Sequence, residues 1–158
     1  GRPIRHLITA LSLILLFSMP QSVHAQQYFN RSELPPLQEK WLAVITCGGN
    51  VYDSSNTSLA PVIHCFIGEI DGKLRIYRYG GERVFRGMQV NSLIDDYMGD
   101  QIHLHLPDPY ILQVTNVNPV FRLTVRIVNQ YGDVVYQDSV NQYNTMTVGV
   151  TPGKKSHR

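Results

Sequence analysis

From residue 101 to residue 150, apolar and polar side chains alternate along short runs that are separated by Pro, Gly and Asn. In the clearest run, residues 121–127, apolar side chains occupy every odd position and Arg or Thr every even one. Successive side chains of a strand point to opposite faces, so this alternation predicts strands with one buried side. Asn129-Gln130-Tyr131-Gly132 is typical of a four-residue turn, so Asp133–Val140 is predicted to return as the partner strand of a hairpin. About seven such strands, with turn residues between them, predict an all-β chain folded as an antiparallel sandwich or barrel.

The composition excludes two classes of protein. Charged residues make up 16% of the 158-residue chain and hydrophobic residues 43%, a balance opposite to that of disordered proteins. Arg2 and Arg5 account for the formal charge of +2, so the rest of the chain carries equal numbers of basic and acidic side chains. Without a strongly basic body, the chain lacks the first requirement of a nucleic-acid-binding protein.

The first 25 residues are typical of a secretory signal peptide. Arg2 and Arg5 precede an apolar run of eleven residues, Leu7–Phe17, and Val23-His24-Ala25 offers a peptidase cleavage site. As a helix this run would span about 16 Å, roughly half of a bilayer core, so no membrane span is expected in the mature chain. We therefore expect an exported protein of the periplasm, cell surface or extracellular space. The predicted divisions are a signal peptide (1–25), an extended arm or linker (26–40), a β-sandwich domain (41–150) and a basic tail (151–158).

Two cysteines lie in apolar stretches of the exported part. Cys47 and Cys65 are eighteen positions apart, and an oxidising compartment favours a disulfide between neighbouring strands. Two buried thiols that pack as small apolar groups are the alternative.

A hairpin is predicted around Asp71-Gly72. Two β-rich runs, Val62–Ile70 and Lys73–Tyr79, flank this dipeptide, which suits the positive φ angles of a two-residue turn.

The second of these runs interleaves basic and aromatic side chains and is the candidate ligand-binding surface. Stacking combined with positive charge suits an anionic glycan or a nucleic-acid backbone, and the export signal favours the glycan. An ordinary solvent-facing hairpin surface is the alternative. The candidate ligand-binding residues are Arg75, Tyr77, Tyr79, Arg83 and Arg86.

His103 and His105 are the candidate metal ligands, because they project from one face of a predicted strand. A third ligand would have to come from a cysteine, Asp100 or Asp108, and the spacing does not specify which. A solvent-facing strand side is the alternative. Nucleophile elbows, phosphate-binding glycine loops and zinc-protease motifs do not occur in the sequence, so we expect neither an enzyme nor a cofactor.

The segment Leu123–Tyr136, together with Leu112–Asn118 and the leader, resembles the small exported bacterial proteins grouped as domain of unknown function 3244. The resemblance implies an immunoglobulin-like sandwich and no established activity, and it transfers no catalytic residue. Members of that family usually continue with further strands beyond the position of Val150, so either the domain closes differently or the chain is truncated and a sheet edge stays unpaired. Thr145–Val150 is the candidate open edge, where a partner can add a strand.

These observations predict an exported, non-enzymatic binding or adhesion module of the bacterial envelope, with an envelope protein or a glycan as its partner. A metal-binding envelope protein and a structural unit without a ligand are the alternatives.

Overall fold

The computed structural model describes residues 24–30, 40–78 and 81–151. The predicted signal peptide, apart from its last two residues, lies outside these ranges, as do residues 31–39 of the predicted arm, Tyr79 and residues 152–158 of the basic tail. Eleven strands and two short 3-10 helices, Val62–Cys65 and Gly87–Leu93, make up the described part. The strands are β1 (His24–Asn30), β2 (Lys40–Gly48), β3 (Leu59–Ala60), β4 (Lys73–Arg78), β5 (Gly81–Arg86), β6 (Ile94–Asp95), β7 (Gln101–Pro107), β8 (Ile111–Thr115), β9 (Arg122–Val128), β10 (Val134–Val140) and β11 (Thr145–Thr151).

The strands form two sheets. One has five strands in the order β1-β11-β8-β4-β5, and the other has six, in the order β10-β9-β2-β7-β6 with β3 beside β2. All pairings are antiparallel except that of β1 with β11. Apolar side chains from both sheets share one buried cluster, which includes Ile45, Leu74 and Val125. The predicted all-β sandwich is confirmed.

Part of the strand order is shared with immunoglobulin domains. Strands β2, β7 and β6 occupy the positions of immunoglobulin strands B, E and D, and β11, β8 and β4 those of G, F and C. The hairpin β9–β10 follows the F position in the chain and joins the side of β2 where strand A lies in immunoglobulins. The strand count exceeds the predicted seven because β1, β3, β5 and β6 lie where no strand was predicted.

The alternation in the sequence corresponds to the two sides of the sheets. In β9, Leu123, Val125 and Ile127 are fully buried, while Arg126 is exposed. The turn after β9 is closed by Asn129, whose side-chain oxygen accepts hydrogen bonds from the main-chain N–H groups of Tyr131 and Asp133, 2.9 Å away in each case. The predicted hairpin of residues 121–140 is therefore present.

The predicted Asp71-Gly72 hairpin is wrong. Residues 62–65 form a 3-10 helix after Pro61, and β4 pairs with β5 instead. Gly72 is needed because the main chain packs closely there. Its N–H donates to the Phe66 carbonyl at 2.8 Å, and a Cβ at this position would lie 2.8 Å from the main-chain oxygen of Thr115. Local turn propensity is outweighed by this tertiary contact.

The predicted open edge at Thr145–Val150 is also wrong. Strand β11 is internal, because β8 pairs with one side of it and β1 with the other. Strand β1 includes His24 and Ala25, the end of the predicted signal peptide, and the first part of the predicted arm. The edges among the described strands are β1, β5, β6 and β10.

Candidate functional site

The outer face of the five-stranded sheet collects most of the predicted ligand-binding side chains. Leu74 and Ile76 of β4 are buried, so the alternate positions Lys73, Arg75 and Tyr77 face outward. Directly opposed residues of antiparallel strands share a face, and Arg86 of β5 stands opposite Lys73. We call Lys73, Arg75, Tyr77 and Arg86 the basic face.

Arg75 is held in place at the centre of the basic face. Its Nη1 donates to the Tyr77 hydroxyl at 3.4 Å and lies 3.8 Å from Oε1 of Glu82. The hydrogen bond with Tyr77 is the main cause that raises the pKa of Arg75 above its ordinary value, so the guanidinium is charged at every physiological pH. The Nε atom is buried and has no hydrogen-bond partner in the described part of the chain. Because Nε is closed to solvent, a ligand reaches this guanidinium only through its terminal nitrogens.

Two cations of the basic face are not neutralised. Lys73 and Arg86 are directly opposed in the β4–β5 ladder, and neither forms an ion pair with another described residue. Like charges placed directly opposite each other in a sheet lower its stability. Asp71, close to Gly87, and Glu82 are the acidic side chains at the two ends of this surface. An anion bound between Lys73 and Arg86 would relieve their repulsion.

A polar surface continues from the basic face across the sheet. Gln113 of β8 is in register with Arg75, and Thr147 of β11 is in register with Gln113. The Gln113 amide donates to the Thr147 hydroxyl at 3.2 Å, and the hydroxyl groups of Thr115 and Thr145 lie 2.9 Å apart. Thr147 is buried, whereas Gln113, Thr115 and Thr145 are half-buried. These three side chains offer both donors and acceptors beside the cations, as recognition of a hydroxyl-rich ligand requires.

Two predicted ligand-binding residues do not belong to the described basic face. Arg83 stands opposite Ile76 in the ladder and so lies on the other side of the sheet, with its guanidinium carbon 5.0 Å from the centre of the Phe85 ring. The odd spacing between Arg83 and Arg86 places them on opposite sides of β5. Tyr79 lies outside the described residues.

The predicted metal ligands lie on the outer face of the six-stranded sheet. His103 and His105 stand opposite Val44 and Leu42, respectively. The nearest partners of His103 are the Gln101 amide oxygen, at 3.1 Å from Nε2, and Oδ2 of Asp95, at 3.9 Å from Nδ1. No group of three metal-ligating side chains occurs among the described residues.

Cys47 and Cys65 form a disulfide with a Cα–Cα distance of 5.8 Å, and neither residue is exposed. The bond joins β2 to the first 3-10 helix, so both sulfurs are used in packing and unavailable as thiolate ligands.

The structure also contains a surface that the sequence analysis did not identify. Two recesses, of about 190 and 320 Å³, follow the outer face of β2. We call their combined surface the β2 groove; its lining residues are Lys40, Trp41, Leu42, Val44, Thr46, Leu59, Gln101, His105, Thr124, Arg126, Val128, Asn129, Gln130, Gly132 and Gln137. Of these residues, the sequence singled out only His105, which was predicted to project from one face of a strand.

Comparisons with protein-family models, curated proteins and solved structures found no match. The resemblance to domain of unknown function 3244 stays a prediction. Among the described residues, no helix has the length and apolar character needed to cross a membrane. The class of protein that the structure defines is an all-β sandwich.

Proposed function

We propose that this protein is an exported, non-enzymatic binding module that recognises an acidic glycan through the basic face. The observation that carries the proposal is the direct opposition of Lys73 and Arg86, two cations without an ion pair in the described structure. A ligand carboxylate placed between them converts a repulsive pair into a charge-assisted contact.

Arg75 and the neighbouring polar groups support a sugar as the carrier of that carboxylate. The guanidinium provides planar donors, and the half-buried Gln113 lies beside it on the same outer face, with Thr115 as the next outward residue of β8. Amides and hydroxyls both donate and accept hydrogen bonds, so they match the hydroxyl groups of a glycan. The Tyr77 ring adds an amphipathic surface against which the apolar side of a sugar can pack.

The proposal is tested by titrating the purified protein with an oligogalacturonate, using a cello-oligosaccharide as the uncharged probe. We expect saturable binding of the oligogalacturonate that weakens as salt increases, since the contacts are between exposed charges. Arg75→Gln should weaken binding about tenfold or more, because a hydrogen bond to a charged group contributes about 1.5–3 kcal/mol.

Arg83→Gln is the matched control, since it removes the same charge from the opposite side of the same sheet. It should leave the affinity of the basic face for oligogalacturonate within about twofold. Equal losses in both variants, or equal binding of the charged and uncharged probes, would contradict recognition by the basic face. Circular dichroism of each variant establishes that the sandwich is intact.

A further inference from the structure

The β2 groove follows a single strand along the outer face of the six-stranded sheet. One recess touches Lys40, Trp41 and Leu42, and the other touches Val44 and Thr46. At about 3.3 Å per residue, the path from Lys40 to Thr46 is roughly 20 Å long. Side chains of β7 lie on one side of this path and side chains of β9 on the other. A ligand that occupies both recesses must therefore be extended along the strand.

The main-chain N–H and C=O groups of β2, below the groove, are already paired with the neighbouring strands of the sheet. Strand β2 pairs with β7 from Lys40 to Ile45 and with β9 from Leu42 to Gly48. An extended peptide that binds by strand addition needs free main-chain groups at a sheet edge, and β2 is an internal strand. Recognition in the groove must therefore depend on side chains.

The polar side chains of the groove are mainly amides and hydroxyls. Gln101 and Gln137 lie on opposite sides of the β2 path, with Thr46 and Thr124 between them. Each of these groups has both donor and acceptor atoms, as a sugar hydroxyl does. The half-buried side chain of Leu42 gives the floor an apolar surface, against which the C–H side of a sugar ring can pack.

Arg126 gives the groove a cation without a partner. Its side chain is exposed and forms no ion pair or hydrogen bond with another described residue. In the ladders Arg126 stands opposite Gln137 on one side and Val44 on the other, so it lies beside the floor of the groove. The carboxylate of Asp95 lies beside His103, on a strand three positions away from that of Arg126 in the sheet. A guanidinium in this position suits a ligand carboxylate.

We infer that the β2 groove is a second binding site for an acidic oligosaccharide, on the opposite outer face of the sandwich from the basic face. This inference rests on the proposed function, because it assigns the same class of ligand to a separate surface. A sandwich with one site on each outer face bridges two glycan chains, and long polymers are then cross-linked with a gain in avidity.

The number of sites tests the inference. Calorimetric titration of the full chain with a short oligogalacturonate should give two sites per molecule. Arg126→Gln and Arg75→Gln should each weaken one of the two sites about tenfold or more and leave the other unchanged, and the double variant should weaken both. Arg83→Gln, which removes one positive charge without touching either surface, should retain two. Long polygalacturonate should form turbid complexes with the wild type and not with either single variant.

The outcomes separate the two proposals. A single site that Arg75→Gln weakens and Arg126→Gln does not affect would overturn the second site and leave the proposed function standing. A single site that responds only to Arg126→Gln would overturn the basic face as the glycan site. Absence of binding would overturn both. Thr124→Val, which keeps the side-chain shape, adds a variant that weakens groove binding without a change in charge.

Discussion

The side-chain amide of Asn116 donates a hydrogen bond to the main-chain carbonyl of Val140 across 2.9 Å, at a position closed to solvent. The same amide donates to the carbonyl of Phe121 at 2.8 Å, and its oxygen accepts the N–H of Asn118 at 2.9 Å. One side chain thus joins the end of β8 to the beginning of β9 and the end of β10. It fixes the hairpin that forms one side of the β2 groove.

Asn116→Leu should lower the free energy of unfolding by about 2–3 kcal/mol. The substitution keeps the approximate size of the side chain but leaves buried main-chain groups without partners. Urea denaturation followed by circular dichroism measures the change. Asn141→Ala, at an exposed position of the following turn, is the control and should change stability by less than about 0.5 kcal/mol. Equal effects of the two substitutions would show that Asn116 has no special role.

Replacing both cysteines, Cys47→Ala with Cys65→Ala, should lower stability by about 3 kcal/mol. The bridge closes a segment with a sequence separation of 18, and its removal returns that loop entropy to the unfolded chain. Thermal unfolding with and without a reductant provides the measurement. The reductant should lower the melting temperature of the wild type and leave that of the double variant unchanged. A wild type that does not respond, and whose two thiols react as free cysteines in denaturant, would contradict the disulfide.

Gly149→Ala should destabilise the sandwich by about 1–3 kcal/mol, the usual cost of overpacking. A Cβ at this position would lie 2.6 Å from the Tyr110 carbonyl oxygen and 3.1 Å from the Ile111 Cα, so the main chain itself must shift. Gly81 is the matched control, since it is also a strand glycine and a Cβ there would meet nothing within 4 Å. Urea midpoints of Gly149→Ala and Gly81→Ala that coincide would refute the close approach.

The stability of the protein should fall as the pH rises above about 10, the ordinary pKa of tyrosine. Burial raises the pKa of Tyr136 to about 12, with the charge of Asp138 and a hydrogen bond to it as further causes. The native state therefore keeps the phenol proton after the unfolded chain has lost it. The contribution of Tyr136 to the free energy of unfolding is complete below a pH of about 10 and is lost as the pH rises toward 12.

Urea midpoints measured from pH 8 to 11.5 test this dependence. Tyr136→Phe should flatten the alkaline decline, because the variant has no phenol to titrate at this position. Burial also raises the pKa of Tyr110, so Tyr110→Phe should flatten the decline as well. At pH 7 Tyr110→Phe should be at least as stable as the wild type, since its buried hydroxyl has no hydrogen-bond partner in the described structure. An unchanged alkaline decline in both variants would contradict the assignment.

The order of neighbouring residues was enough to predict individual strands, their buried sides and a turn between two of them. The alternation along residues 121–127 predicted the side of β9 that is buried, and Asn129–Gly132 predicted the turn that follows it. The outward positions of Arg75 and Tyr77 followed from the same two-residue period. These predictions needed only the geometry of a strand and the chemistry of a turn.

The remaining features depend on which strands become neighbours. Asp71-Gly72 has the chemistry of a hairpin turn, but Gly72 packs against Phe66 and Thr115 in the folded chain. Arg83 lies on the side of the sheet opposite the basic face because it pairs with Ile76, and this pairing cannot be read from the sequence. The β2 groove requires β7 and β9 to flank β2, although the three strands are far apart in the chain. No local pattern encodes these pairings.

The central claim is that an acidic glycan binds the outer face of the five-stranded sheet. Nuclear magnetic resonance of the isotope-labelled protein during titration with oligogalacturonate tests it most directly. The account predicts saturable shifts of the main-chain amides around Lys73, Arg75, Tyr77, Arg86 and Gln113, with little change at Arg83. Shifts that avoid these positions at saturating ligand, or no shifts at all, would contradict it.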